Sequence, residues 1–162
     1  MSNASSIDIK ALTVYLEQHL DDFQGPMSLE KFSGGQSNPT YKVSAQSGTY
    51  VLRRQPPGKL LKSAHAVDRE YRVLKALKNT DVPVAQVYHL CEDITVIGSM
   101  FYLMEFCDGS IYWHASLSEI AHNTQRTEMY EAMNKALVAL HNVDIEAVGL
   151  SSYGKKGNYF AR

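Results

Sequence analysis

The chain has 162 residues, 44% of them hydrophobic, and a formal net charge of -1. That size and composition fit one compact domain, or a small lobe joined to part of another, and exclude a disordered chain. The near-zero charge, with no block of like charges, argues against a nucleic acid or an anionic membrane surface as partner.

Residues 7–20 carry apolar side chains at helical spacing and stop at Asp21-Asp22 and the Gly25-Pro26 break, which predicts an amphipathic helix. Three strand-like runs follow, near residues 29–33, 40–45 and 49–54. The first two flank Gly34-Gly35-Gln36-Ser37-Asn38-Pro39; the second and third are joined by Gln46-Ser47-Gly48, a hairpin signal. After the Pro56-Pro57-Gly58 turn a helix is predicted over residues 65–78, then strands over 84–90 and 99–106. Beyond Asp108-Gly109 the periodicity turns helical, most clearly over residues 124–141. There Met129, Met133, Leu137 and Leu140 recur on one face and read as core packing. Strands first and helices later imply an α+β layout with a mostly antiparallel sheet, and the change near Asp108-Gly109 marks a lobe boundary. The expected division is an N-terminal helix over 1–25, a sheet-bearing lobe over 26–108 and the start of a helical lobe over 109–162.

Cys91 and Cys107 lack metal-ligand spacing and sit in apolar runs, so both read as buried free thiols. No apolar stretch approaches a membrane span, and the start of the chain lacks a secretion signal; the expectation is a cytoplasmic protein that builds no metal site of its own. Basic residues gather at Arg53-Arg54, Lys59-Lys62 and Arg69-Arg72-Lys75, clusters of a kind that ordinarily form solvated faces.

The loop Gly34-Gly35-Gln36-Ser37-Asn38 falls at the tip of a strand pair. Its glycines allow close backbone approach, so main-chain N–H groups there could line a phosphate, or the tip could need only flexible residues. It is not a dinucleotide fingerprint, because G-x-G-x-x-G is missing and no helix follows at once. Gly58-Lys59 is not a Walker-type loop either: Arg53 stands where the first glycine belongs, and Leu60 replaces the serine or threonine. On the third strand, period two sets Val51 and Arg53 on one face and Leu52 and Arg54 on the other. A guanidinium beside Val51 needs an anion, a carboxylate or a phosphate. The following helix offers one. Val67, Glu70, Tyr71, Leu74 and Leu77 share a face, and a carboxylate inside an apolar stripe is unexpected unless paired. Glu70 can pair with Arg53, or lie at the stripe's edge beside Arg69. If the Arg53 pair is buried, breaking it costs about 3–5 kcal/mol.

A glycine-rich strand pair, a basic residue on the third strand and a glutamate in the next helix together resemble the front lobe of a kinase-like fold. The sequence is similar to the aminoglycoside phosphotransferase family, in the branch related to kinase-like domains found with acyl-CoA dehydrogenases. The carrying segments are F-S-G-G-Q-S-N-P-T-Y over 32–41, Y-V-L-R-R-Q-P-P-G over 50–58 and S-A-H-A-V-D-R-E-Y-R-V-L over 63–74. They continue with Y-L-M-E-F-C-D-G over 102–109, A-L-H-N-V-D over 139–144 and the final G-K-K-G-N-Y-F-A-R.

The resemblance implies a protein-kinase-like N-terminal lobe followed by the first helices of a truncated C-terminal lobe. It implies that Gly34, Gly35, Gln36, Ser37 and Asn38 cover the phosphates of ATP. Arg53 would replace the family's usual lysine against the α- and β-phosphates, held by Glu70. Arginine offers a planar fork where lysine offers a point charge, so the geometry does not simply transfer. Met104 would stand beside the adenine, and the C=O of Glu105 and the N–H of Cys107 would meet its edge. The implied partners are a nucleotide and, in the full-length protein, a small-molecule hydroxyl acceptor and Mg²⁺. The family's His-Gly-Asp…Asn motif and its later aspartate, which supply the catalytic base and the metal carboxylates, do not occur in these residues. His141-Asn142-Val143-Asp144 matches the end of a helix instead. The expectation is a front portion that is inactive alone, with a non-catalytic nucleotide-binding module as the alternative and a bare fragment as the third reading. A helix over 124–141 without its covering helices should pair with a second copy or fold back on the sheet.

Overall fold

The computed structural model describes residues 7–33, 37–58, 65–154 and 157. The elements in chain order are α1 (Ile9–His19), β1 (Met27–Lys31), β2 (Thr40–Ala45), β3 (Gly48–Arg54), α2 (Val67–Leu77), β4 (Val87–Cys91), β5 (Phe101–Glu105) and α3 (Asn123–His141). The α+β architecture matches the sequence reading element for element, with shifts of two or three residues at some ends. The first strand starts at Met27 rather than Leu29, and the fourth at Val87 rather than Val84.

The five strands form one antiparallel sheet in the order β1-β2-β3-β5-β4. The β2–β3 hairpin turns on Gln46 and Ser47, with Ala45 opposite Gly48. Its tip is tied to the chain leaving α1: the Ser47 N–H donates to the Gln24 carbonyl, and Ser47 Oγ accepts from the Gln24 N–H.

The chain divides into two compact units, one of residues 1–75 and 85–107, the other of residues 76–84 and 108–162. In the first, the two faces of the sheet are treated differently. α1 is capped by Asp8, whose Oδ1 accepts the Ala11 N–H at 3.0 Å and so replaces one missing helical partner. Its Leu12 and Leu16 are fully buried on Val43, Leu52, Phe101 and Leu103, with Phe23, Cys91 and Ile97 closing the core. The opposite face is only partly covered. α2 lays Val67 on Val87 and Tyr102, with Tyr71, Leu74 and Met104 at the margin.

In the second unit α3 has no buried residue, although it runs for 19 residues. The Met133, Leu137 and Leu140 stripe is exposed, so it is not core packing within these residues. The helix ends as expected at His141, with the Asn142 N–H returned to the Val138 and Ala139 carbonyls. Asp144 Oδ1 accepts from the N–H groups of Glu146 and Ala147, capping the next turn. A groove of about 860 Å³ runs along α3 past Ala132, Ala136, Val143 and Val148. Among the described residues no helix is long and apolar enough to cross a membrane.

Candidate functional site

The partly covered face is where the chemistry gathers. β3 is the central strand, and its register sets Arg53 opposite Thr40 on β2 and Tyr102 on β5. All three side chains therefore rise from the same face, as period two requires. α2 reaches over them from the side. Val67 is its buried anchor, and Glu70, one turn on, shares the side of the helix that meets the sheet.

The result is a closed polar network. Arg53 Nε donates to Glu70 Oε2 at 2.6 Å and Nη2 donates to Oε1 at 3.3 Å. The fork of the guanidinium meets both carboxylate oxygens, the strong two-point form of this contact. Arg53 Nη1 donates to Thr40 Oγ1 at 2.9 Å and to the Asn38 carbonyl at 3.4 Å. The Tyr102 hydroxyl donates to Glu70 Oε2 at 3.1 Å, and Asn38 Nδ2 donates to Oε1 at 2.9 Å. Hydrogen bonding to Glu70 raises the Arg53 pKa above its usual value, against the opposing effect of burial. Burial, then the charge of Glu70, pushes the Tyr102 hydroxyl well above the ordinary tyrosine range, so it remains a proton donor to that carboxylate. The Arg53 and Glu70 side chains are 28% and 35% exposed, so this pair is not the buried one that the larger stability cost requires.

Of the other sequence-predicted site residues, Gly34, Gly35 and Gln36 lie outside the described residues. Ser37 is exposed. Asn38 is buried, and its side chain turns into the Arg53–Glu70 network. Met104 pairs with Val51 on one side and Val87 on the other, half-buried on the same face as Arg53. The Glu105 N–H donates to the Gln86 carbonyl, and its carboxylate accepts the Gln86 N–H, which ties down the end of β5. Cys107 is exposed, contrary to the expectation of two buried thiols; it lies past the end of β5, whereas Cys91 is buried within β4. Nearby, a cavity of about 330 Å³ is lined by Glu30, Phe32, Lys42 and Phe106, with the Lys42 ammonium 4.9 Å from the centre of the Phe106 ring.

Sequence reasoning missed three members of the network: Thr40, Tyr102 and His65, whose Nδ1 lies 3.0 Å from Asn38 Oδ1. The first two were within reach of the same period-two argument, since they are the cross-strand neighbours of Arg53. It also misjudged Arg54. That side chain is not on a solvated face but 2% exposed, on the face covered by α1. Its Nε donates to Ser99 Oγ at 2.8 Å, and its Nη2 has no hydrogen-bond partner among the described residues. Burial lowers its pKa.

The profile of the phosphotransferase enzyme family matches residues 28–162. The chain belongs to that family. It is 48% identical over 153 residues to acyl-CoA dehydrogenase family member 10 of Mus musculus, covering 94% of this chain and 14% of that protein. It is 36% identical over 159 residues to acyl-CoA dehydrogenase family member 11 of Homo sapiens, covering 96% of this chain and 20% of that protein. A Ralstonia eutropha crystal structure, assigned to the aminoglycoside phosphotransferases, superposes with a TM-score of 0.83 and 47% identity. The match covers 96% of this chain and 44% of that one. The chain thus spans a fifth or less of these curated relatives and under half of the solved structure. The kinase-like fold of the family, read from the glycine-rich strand pair onward, is the fold of this chain.

Proposed function

We propose that this chain is the nucleotide-binding portion of an ATP-dependent phosphotransferase that, in the full-length protein, moves the γ-phosphoryl group to a hydroxyl of a small molecule. The observation that carries this reading is the Arg53–Glu70 pair on the partly covered face of the sheet. Phosphoryl transfer depends on positioned positive charge around the phosphates more than on covalent chemistry. A guanidinium held at both ends by protein, with Val51 and Met104 beside it as an apolar floor, fits the polyphosphate and base of one ligand. The nucleotide supplies the phosphoryl group. This chain's residues contribute binding and orientation: Arg53 holds charge near the α- and β-phosphates, residues 34–38 cover them, and Met104, Glu105 and Cys107 border the base.

A non-catalytic nucleotide-binding module is the second reading. It draws on Asp144, whose carboxylate caps a turn. The reading frame beyond Arg162 separates the two, since a following His-Gly-Asp…Asn stretch supports the enzyme. For nucleotide binding itself, the measurement is thermal unfolding of the chain with ATP, with and without Mg²⁺. ATP is expected to raise the midpoint, and Arg53→Ala is expected to abolish that rise. An ATP-independent midpoint in the unaltered chain would overturn the assignment of the site.

The exposed stripe on α3 supports self-association through that helix. Sedimentation velocity should give a dimer, converted to monomer by Met133→Glu with Leu137→Glu; a wild-type monomer contradicts it.

A further inference from the structure

Asn38 is unusual among the polar residues here: it is 3% exposed, yet it lies between the exposed Ser37 and the start of β2. A primary amide so deeply buried needs hydrogen-bond partners, and Asn38 has one at each end of its side chain. Its Nδ2 donates to Glu70 Oε1 at 2.9 Å, and its Oδ1 lies 3.0 Å from His65 Nδ1. Its carbonyl accepts from Arg53 Nη1 and, at 3.1 Å, from the Thr40 hydroxyl. His65 is the last residue but one before α2, with φ at 59°, a left-handed conformation uncommon for residues other than glycine. Its carbonyl accepts the Val67 N–H at 2.9 Å. The amide of Asn38 therefore ties the chain entering β2 to the entrance of α2.

The chemistry of the contacts sets the proton positions. An ionised carboxylate only accepts, so the amide must present its NH₂ to Glu70 and its oxygen to His65. That oxygen only accepts as well, so His65 Nδ1 must carry a proton. The contact is compatible with the Nδ1–H neutral tautomer and with imidazolium, but not with the Nε2–H tautomer. The donors of Arg53 can be counted in the same way. Arginine has five N–H groups. One on Nε and one on Nη2 meet Glu70, and the two on Nη1 meet Thr40 and the Asn38 carbonyl. Among the described residues a single Nη2–H remains.

We infer that Asn38, oriented by His65, is the positioning residue of this site. It fixes Glu70 from behind and Arg53 from the side, so that Arg53 meets a phosphate as a monodentate cation with one N–H to give. This rests on the phosphotransferase reading for the identity of the ligand, but not for the bridge itself. An arginine so constrained resembles a lysine in what it offers a phosphate, while retaining a fork for its own anchorage.

The test has two arms, both on the intact chain. Long-range ¹H–¹⁵N correlation spectra of the histidine rings at a pH above the imidazole range should show His65 as the Nδ1–H tautomer, and Asn38→Ala should release it. An Nε2–H tautomer in the unaltered chain overturns the bridge. In the second arm ATP affinity is measured by calorimetry for Asn38→Ala, Glu70→Gln and the double variant. Asn38→Ala should weaken binding roughly tenfold or more, as when a group that orients a ligand-binding residue is lost, and the double variant should be no worse than Glu70→Gln alone. Unchanged affinity, or strictly additive losses, overturns the positioning role. Should Asn38→Ala fail to fold, His65→Asn tolerates the left-handed backbone and removes only the far end of the bridge. It is expected to lose affinity in the same direction, and unchanged affinity there counts against the inference. An unaltered chain that binds no nucleotide sinks the assignment of a nucleotide site to this chain, while the tautomer and its response to Asn38→Ala still decide the bridge.

Discussion

Arg53 and Arg54 are adjacent on one strand, yet they live in opposite environments. Arg53 rises from the partly open face, is 28% exposed and has a carboxylate within 2.6 Å. Arg54 points into the face sealed by α1, is 2% exposed and has a serine as its only described side-chain partner. The more accessible guanidinium is the better satisfied one. This inverts the rule that burial of charge demands pairing, and it shows that the two faces do different work. The α1 face supplies cohesion and tolerates a poorly matched group. The α2 face supplies organised charge.

The largest expected effect tests the α1 face. Arg54→Ala removes the side chain from a packed region and should cost about 2–4 kcal/mol, the range for large-to-small core changes. Arg54→Met keeps much of the volume without the charge or the orphaned N–H, and should stay within about 1 kcal/mol of the wild type. Urea unfolding of the two variants measures both; equal losses would mean that the guanidinium itself, rather than its bulk, holds that region. On the α2 face, Glu70→Ala should cost about 1–2 kcal/mol, less than a buried pair would, because solvent already screens both partners. Its effect on ATP-induced stabilisation should be near complete, so stability and binding part company on this face alone.

The smallest effect is a pH dependence on the α1 face. Burial, and after it the neighbouring His19 ring, lowers the pKa of His89, whose Nε2 lies 2.9 Å from the Tyr15 hydroxyl. A depressed folded pKa means that the unfolded chain takes up the proton first. Stability is therefore full above the ordinary histidine pKa of about 6.5 and declines as pH falls from there through the folded value. His89→Gln should flatten that acid limb in chemical-denaturation curves collected from neutral to mildly acidic pH. An unchanged limb would assign the acid sensitivity to other groups.

Much of this was legible in advance. Arg53 and Glu70 follow from two periods, 2 along β3 and 3.6 along α2, because each places a charge on an otherwise apolar face. Asn38 and His65 were not legible as a pair, since 27 residues separate them and no local period links the chain entering a strand to a helix's entrance. Arg54 was misjudged for a related reason: α1 covers its face from the start of the chain, and nothing within β3 announces that lid. Cys107 looked buried because its neighbours are apolar, but it lies past the last paired residue of β5.

The two-residue turn at Gln46 and Ser47 acts as a ruler for the catalytic family's cationic strand. Because successive side chains alternate, adding or deleting one residue there would move β3 by one place and exchange the two arginines, sending Arg53 beneath α1 and turning Arg54 towards Glu70. The same slip would turn the fully buried Leu52 out of the α1 core, so the core and the charge network would be lost together. Length variation should therefore be tolerated far less in this turn than in surface loops elsewhere, and a library of turn insertions would reveal it as a loss of folded protein.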